Sequence, residues 1–215
     1  LKSNLALIYR KLYACFGPQF WWPAQSRFEV IVGAILTQNT SWLNVEKAIK
    51  NIKAGKYMSP KKLYNLPDKK LAKVIRPAGY YNIKARRLKN FLKVFLKYYR
   101  GSVSRMASVD VKSLREELLE INGIGPETAD SVLLYALNRP VFVIDAYTRR
   151  IMNRLGFVDE AVKYNDLQAC FHLLLPQDLG LYNDFHAQFV ALGKDFCRPK
   201  PACSDCPLTN ACQYY

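Results

Sequence analysis

The chain has 215 residues, half of them hydrophobic, and 32 Lys and Arg stand against 17 Asp and Glu for a formal net charge of +15. That length buries a sizeable core as one domain or two small lobes, and no apolar run approaches the roughly eighteen residues of a membrane span. The basic residues run from Lys2 to Lys200 instead of massing in a tail, so the surplus fits either a polyanionic partner, whose counterions are released on binding, or a solubilising surface.

Leu5, Leu7, Ile8 and Leu12 recur at helical spacing, without the small-residue cleavage pattern of a signal peptide, and a cytoplasmic protein is expected. The pair Trp21-Trp22, followed by Pro23, reads first as core and second as a pocket. Phe28 to Leu36 is apolar on nearly every side, as in a central helix, and Gln38 and Asn39 stand where that helix is capped or ends. Trp42, Val45, Ala48, Ile49 and Ile52 mark one face of the next helix. Over Ile83 to Tyr99 an apolar stripe of Leu88, Phe91, Leu92, Phe95 and Leu96 opposes Lys89, Lys93 and Lys97, a row read first as a solvated face. No strongly alternating strand pattern appears, so the fold class is all-α.

Leu114, Leu118 and Ile121 line a further helix, after which Asn122-Gly123-Ile124-Gly125-Pro126 opens another through Val132, Leu133, Ala136 and Leu137. Glycine permits the positive backbone angles of a tight turn, and proline suits the first helical position. The free amides of such a helix start can hold a phosphate, although an ordinary turn between helices has the same pattern. Val141-Phe142-Val143-Ile144, bounded by Pro140 and Asp145, reads as a buried connector into a helix that begins at Asp145. Asp145 is first of all a helix cap.

The C-terminal stretch holds Cys197-x5-Cys203-x2-Cys206-x5-Cys212. Four thiolates this close together suit one compact metal centre, either zinc or an iron–sulfur cubane. Cys15 and Cys170 lie outside it, and an even count scattered as a secreted disulfide framework fits less well.

Together, the glycine hairpin and Asp145 resemble the helix-hairpin-helix DNA glycosylases of the endonuclease III superfamily. Gly79-Tyr80-Tyr81-Asn82-Ile83-Lys84-Ala85 is similar to the superfamily's Gly-x-Tyr-Asn-x-Lys-Ala segment, and Leu36-Thr37-Gln38-Asn39-Thr40 is similar to the segment that fills the gap left by an extruded nucleotide. The cysteines closely resemble that superfamily's [4Fe–4S] loop, with one residue fewer in the first gap. Trp-Trp-Pro, Phe-Glu-Val and Leu-Thr-Gln-Asn-Thr resemble the 3-methyladenine glycosylase branch, which need not carry the loop, so features of two branches are combined.

The resemblance implies a two-lobed fold, one lobe spanning 27–140 with the hairpin and the other 1–26 plus 141–215 with the cluster loop, and DNA across the cleft between them. It further implies phosphate contacts at Gly123, Gly125 and Thr128, a plug at Asn39 beside Gln38, a wedge at Tyr80, and a base pocket drawing on Trp21, Trp22 and Trp42. Asp145 would be the catalytic carboxylate at a flipped-out nucleotide, and Cys197, Cys203, Cys206 and Cys212 would hold a structural [4Fe–4S] cluster. His172 and His186 sit in no motif and read as structural, His186 with a second option of lining the pocket. Where bifunctional members carry a Schiff-base lysine, this chain has Glu127, which cannot form an imine. The expectation is a monomeric, nucleoid-associated, monofunctional glycosylase acting on double-stranded DNA, releasing an N-alkylated purine such as 3-methyladenine. The alternatives are a monofunctional glycosylase for oxidised or mismatched pyrimidines (uracil or thymine) and a non-catalytic DNA-binding module.

Overall fold

The computed structural model describes residues 2–215, with side chains from residue 5 onward. In chain order the helices are α1 (Lys2–Phe16), α2 (Arg27–Leu36), α3 (Trp42–Ala54), α4 (Pro60–Asn65), α5 (Asp68–Val74), α6 (Tyr81–Tyr99), α7 (Val103–Ala107), α8 (Val111–Glu120), α9 (Pro126–Ser131), α10 (Ala146–Arg154), α11 (Tyr164–Leu174) and α12 (Leu179–Asp195). Among the described residues there is no strand, and no helix is long and apolar enough to cross a membrane. Two compact units are formed, Ala24–Arg139 and Leu1–Pro23 with Pro140–Tyr215.

The unit Ala24–Arg139 is organised around α2, in which every residue from Phe28 to Leu36 is buried. Ser26 starts the helix by accepting from the Glu29 amide at 3.2 Å. Glu29 is the polar exception in this run, and its buried carboxylate is neutralised by the Lys53 ammonium at 2.7 Å. α6 turns Leu88, Phe91, Leu92 and Phe95 inward, and the Phe95 ring lies parallel to Phe28 with centroids 6.0 Å apart. Of the lysines on its other face, Lys93 and Lys97 are exposed while Lys89 pairs with Asp68.

Asp110 caps α8 by accepting from the Ser113 amide at 3.0 Å. Arg115 of α8 then grips Asp130 of α9 with two bonds of 2.7 and 3.0 Å. Asp130 is fully buried, so this two-point contact fixes the angle of the hairpin that joins the two helices. The helix after the hairpin is not regular throughout. Following Ser131 it widens into a π-turn over Val132–Ala136, closed by the Leu137 amide on the Val132 carbonyl at 3.0 Å, and this wholly buried turn packs on α2.

In the unit Leu1–Pro23 with Pro140–Tyr215, α1 packs on α12 and buries Leu5, Ile8 and Leu12. The centre is aromatic. Phe142 stacks face to face on Phe171 at 3.9 Å and meets Tyr182 and Phe185 edge-on. The connector before Asp145 is buried, and α11 satisfies its backbone with side chains. The Phe142 amide donates to His172 Nε2 at 2.9 Å, the Phe142 carbonyl accepts from Gln168 at 2.6 Å, and the Ile144 amide donates to the Tyr164 hydroxyl at 3.3 Å. A buried backbone must find such partners. His172 is thereby structural, its ring also stacked on Tyr182 at 5.6 Å.

Candidate functional site

Asp145 sits where the clamped connector meets α10, and it caps that helix. Its Oδ1 accepts from the Thr148 amide at 2.7 Å. Its Oδ2 lies 3.5 Å from His186 Nε2, with 11% of the Asp145 side chain and 7% of the His186 side chain exposed. Burial pushes the carboxyl's pKa up, but the charge and hydrogen bond of His186 and the Thr148 amide outweigh it, and the net direction is down. The result is a carboxylate kept ionised while nearly withdrawn from water.

His186 reaches Asp145 from α12, far along the chain. Two turns further on the same face, Gly193 lies against Tyr147 of α10, where a Cβ would fall 2.3 Å from the ring. A glycine is required for α12 to approach α10 so closely. Arg150 adds a bond of 2.8 Å to the Cys197 carbonyl just past the end of α12. Trp21 and Trp22, in the same unit, are half-buried and meet at 63° with centroids 5.4 Å apart. The Lys194 ammonium stands 5.6 Å above Trp21.

The other candidates belong to Ala24–Arg139. Gly123 has φ +95°, and a Cβ there would fall 2.2 Å from the Arg87 side chain, so the Arg87 stem fills the space under the turn. At Gly125 nothing lies within 4 Å of a Cβ position, so that side of the turn is open to an approaching group. Gln38 is not a free tip. It donates to the Gly123 carbonyl at 3.0 Å and to Thr128 Oγ1 at 2.9 Å, and it accepts from Arg87 at 2.6 Å. It braces the loop after α2 against the hairpin. The Thr128 hydroxyl is spent on that brace and is buried, which leaves its backbone for any phosphate contact. Asn39 is exposed with φ +52°. Tyr80 is 70% exposed with φ +44°. Trp42 is half-buried and donates to Glu46 at 3.0 Å. Glu127 is exposed on the first turn of α9.

Beyond α12, Cys197, Cys203, Cys206 and Cys212 all line one small pocket, with Arg154, Phe196, Thr209 and Tyr214 around them. The Arg154 guanidinium donates to Cys197 Sγ at 3.3 Å and to the Arg198 carbonyl at 2.7 Å. Thr209 ties the Cys203 and Cys206 carbonyls together at 2.6 and 2.8 Å. Burial pushes the Cys206 thiol up in pKa, and the three neighbouring cysteines add to it. Among the described residues no three His, Cys, Asp or Glu side chains are drawn together as ligands of one ion. An all-sulfur donor set around a common pocket is the chemistry that an iron–sulfur group requires.

The model of the HhH-GPD superfamily of base excision DNA repair proteins matches residues 32–177. The chain is 50% identical, over 95% of its length and 94% of the relative's, to a Methanocaldococcus jannaschii protein provisionally assigned as a DNA repair glycosylase. It is 32% identical to endonuclease III of Thermotoga maritima, over 87% of this chain and 83% of that one. Among solved structures it is similar to H. pylori 3-methyladenine DNA glycosylase bound to 1,N6-ethenoadenine, with a TM-score of 0.74 and 32% identity over 90% of this chain and 96% of that one.

Because Asp145 titrates below the usual carboxylate range, its interactions add stability above the unfolded-chain value near pH 4 and lose it as pH falls through the folded value. His186→Gln removes the imidazole that lies against Oδ2 and lowers the carboxyl's pKa, so the Asp145 carboxyl signal in a carbon-13 NMR titration is expected to move to a higher midpoint. An unmoved midpoint would show that His186 does not hold the charge.

Proposed function

The chain belongs to the HhH-GPD superfamily of base excision DNA repair proteins, and from that membership we propose that it is a monofunctional DNA glycosylase that flips out and hydrolytically releases an N-alkylated purine such as 3-methyladenine. The observation that carries this reading is the Asp145 carboxylate, held charged at the end of a clamped connector.

A glycosylase of base excision repair works on a nucleotide taken out of the stack. In this reading the hairpin at Gly123 and Gly125 grips the backbone phosphate through its amides, Asn39 fills the vacated position and Tyr80 wedges against the opposite strand. Asp145 faces the sugar. As the bond to the base breaks, positive charge develops on the deoxyribose, and a fixed anion in a poorly hydrated setting stabilises that charge strongly. Its oxygen also orients or deprotonates the attacking water. The products are the free base and an abasic sugar bearing the water's hydroxyl.

An N-alkylated purine is already cationic, so it leaves without a strong general acid and stacks well on electron-rich rings. Trp21 and Trp22 lie in the same unit as Asp145, and the likeness to the H. pylori 3-methyladenine glycosylase supports this choice of lesion. The absence of lyase activity rests on Glu127, a carboxylate where a Schiff-base amine would be needed. Cys197, Cys203, Cys206 and Cys212 would hold a [4Fe–4S] cluster, which when bound supplies a rigid metal–sulfur cross-link. Around it Arg154 stabilises thiolate charge, and Thr209 fixes the loop turn between Cys203 and Cys206.

Asparagine caps helices as well as aspartate does. Asp145→Asn is therefore expected to fold and bind DNA while losing roughly 10²-fold or more of its single-turnover base release. The released base is identified from alkylated DNA and from G·T, G·U and oxidised-pyrimidine duplexes. Free 3-methyladenine supports the assignment, uracil or thymine would replace it with the pyrimidine alternative, and an unchanged rate in the variant would remove Asp145 from the site. Borohydride treatment on abasic DNA is expected to trap no covalent adduct. Protein isolated without air should contain about four iron and four sulfide per chain, whereas a single zinc would contradict the cluster assignment.

A further inference from the structure

The assignment of duplex entry to Asn39 and Tyr80 leaves open what holds them. Both have backbone in the left-handed region, at φ +52° and +44°, which asparagine tolerates but a bulky tyrosine adopts only where its surroundings enforce it. Both tips follow a helical end whose carbonyl has no partner within its own helix. Leu36 closes α2 three residues before Asn39, and Ala78 closes a short helical turn two residues before Tyr80.

Those two carbonyls are joined by one side chain. Lys84, on the first turns of α6, is 1% exposed. Its ammonium donates to the Leu36 carbonyl at 2.9 Å and to the Ala78 carbonyl at 2.7 Å. The pKa of Lys84 is lowered to about 8, first by burial and then by the charge of Arg87. A buried ammonium held by neutral carbonyls is costly, and a well-packed apolar chain would serve core stability better. The cost is explained if the bond's use is geometric. Two further polar side chains of α6 act alike: Arg87 holds Gln38 at 2.6 Å, and Asn90 donates to the Asn122 carbonyl of the hairpin at 3.0 Å. Spaced three residues apart, these side chains share one face of α6.

We propose that Lys84 is the positioning residue for strand entry: its ammonium, bonded to the Leu36 and Ala78 carbonyls, fixes the spacing of the Asn39 and Tyr80 tips so that both enter the duplex together. This rests on the reading of those tips as the inserting residues and is independent of which lesion is excised. Arg87 and Asn90 align the hairpin with the same face, so one helix presents plug, wedge and phosphate grip as a set.

The test uses the full chain and a duplex with a tetrahydrofuran abasic site facing 2-aminopurine, whose fluorescence rises when an inserted side chain unstacks it. At saturating protein, Lys84→Met is expected to cut the rise to roughly a fifth or less of the wild-type value as the strained tips relax, while circular dichroism remains native. Asn39→Ala and Tyr80→Ala should each lower the rise, and Lys84→Met added to that pair should lower it no further, as members of one unit do. A full rise in Lys84→Met, with the two alanine variants impaired, overturns the role of Lys84 and leaves the insertion reading standing. A full rise in both alanine variants overturns insertion, and the role of Lys84 with it. Should Lys84→Met fail to fold, Lys84→Gln, which keeps an N–H donor, is measured the same way: a partial loss supports the strut and a full rise overturns it.

Discussion

Asp145 divides its two oxygens between two partners, and the chemistry proposed for the chain depends on that division. Oδ1 closes the start of α10 on the Thr148 amide, and Oδ2 faces His186. Removal from water alone would drive the carboxyl toward its neutral form. A neutral acid could not stabilise a cationic sugar. The two partners reverse the effect of burial, so one set of contacts secures both local structure and the charge. The aromatic core serves the same end. Phe142 is locked between α11 and α12, and His172, Gln168 and Tyr164 hold the connector's backbone, which leaves Asp145 little freedom to turn.

In each unit a glycine makes room for a large side chain. Gly193 admits Tyr147, allowing α12 to carry His186 to Asp145; Gly123 admits the stem of Arg87, whose guanidinium then holds Gln38. These glycines are needed for close approach as much as for turning. Arg115 completes the hairpin with a two-point grip on the buried Asp130 carboxylate, which resists rotation of α9 against α8.

Local patterns in the sequence carried much of this. The all-helical class, the burial of α2 from Phe28 to Leu36, the apolar stripe of α6 and the entry of proline at the start of α9 follow from periodicity and turn chemistry, and the structure has each of them. The connector at 141–144 was readable because Pro140 and Asp145 bound it too tightly for a paired strand. What was not legible depends on distance. His186 occupies no motif and gains meaning only when Gly193 brings its helix to α10. Gln38, read only as the neighbour of the Asn39 plug, is a brace because Gly123, Thr128 and Arg87 converge on it from two other segments. Lys84 looked like one letter of a family segment, and its two carbonyl partners lie 48 and 6 residues before it in sequence. The π-turn after Ser131 has no signal in an apolar run that suits a regular helix equally well.

The central claim is that a fixed negative charge at residue 145 meets positive charge on the sugar. It is tested most directly by comparing duplexes that carry, in place of the damaged nucleotide, either a cationic pyrrolidine abasic analogue or a neutral tetrahydrofuran. Binding should favour the cationic analogue by roughly 10²-fold or more, as expected for a mimic of the transition state, and Asp145→Asn should abolish the preference. Equal affinity for both analogues, or a preference that survives the substitution, would contradict the account.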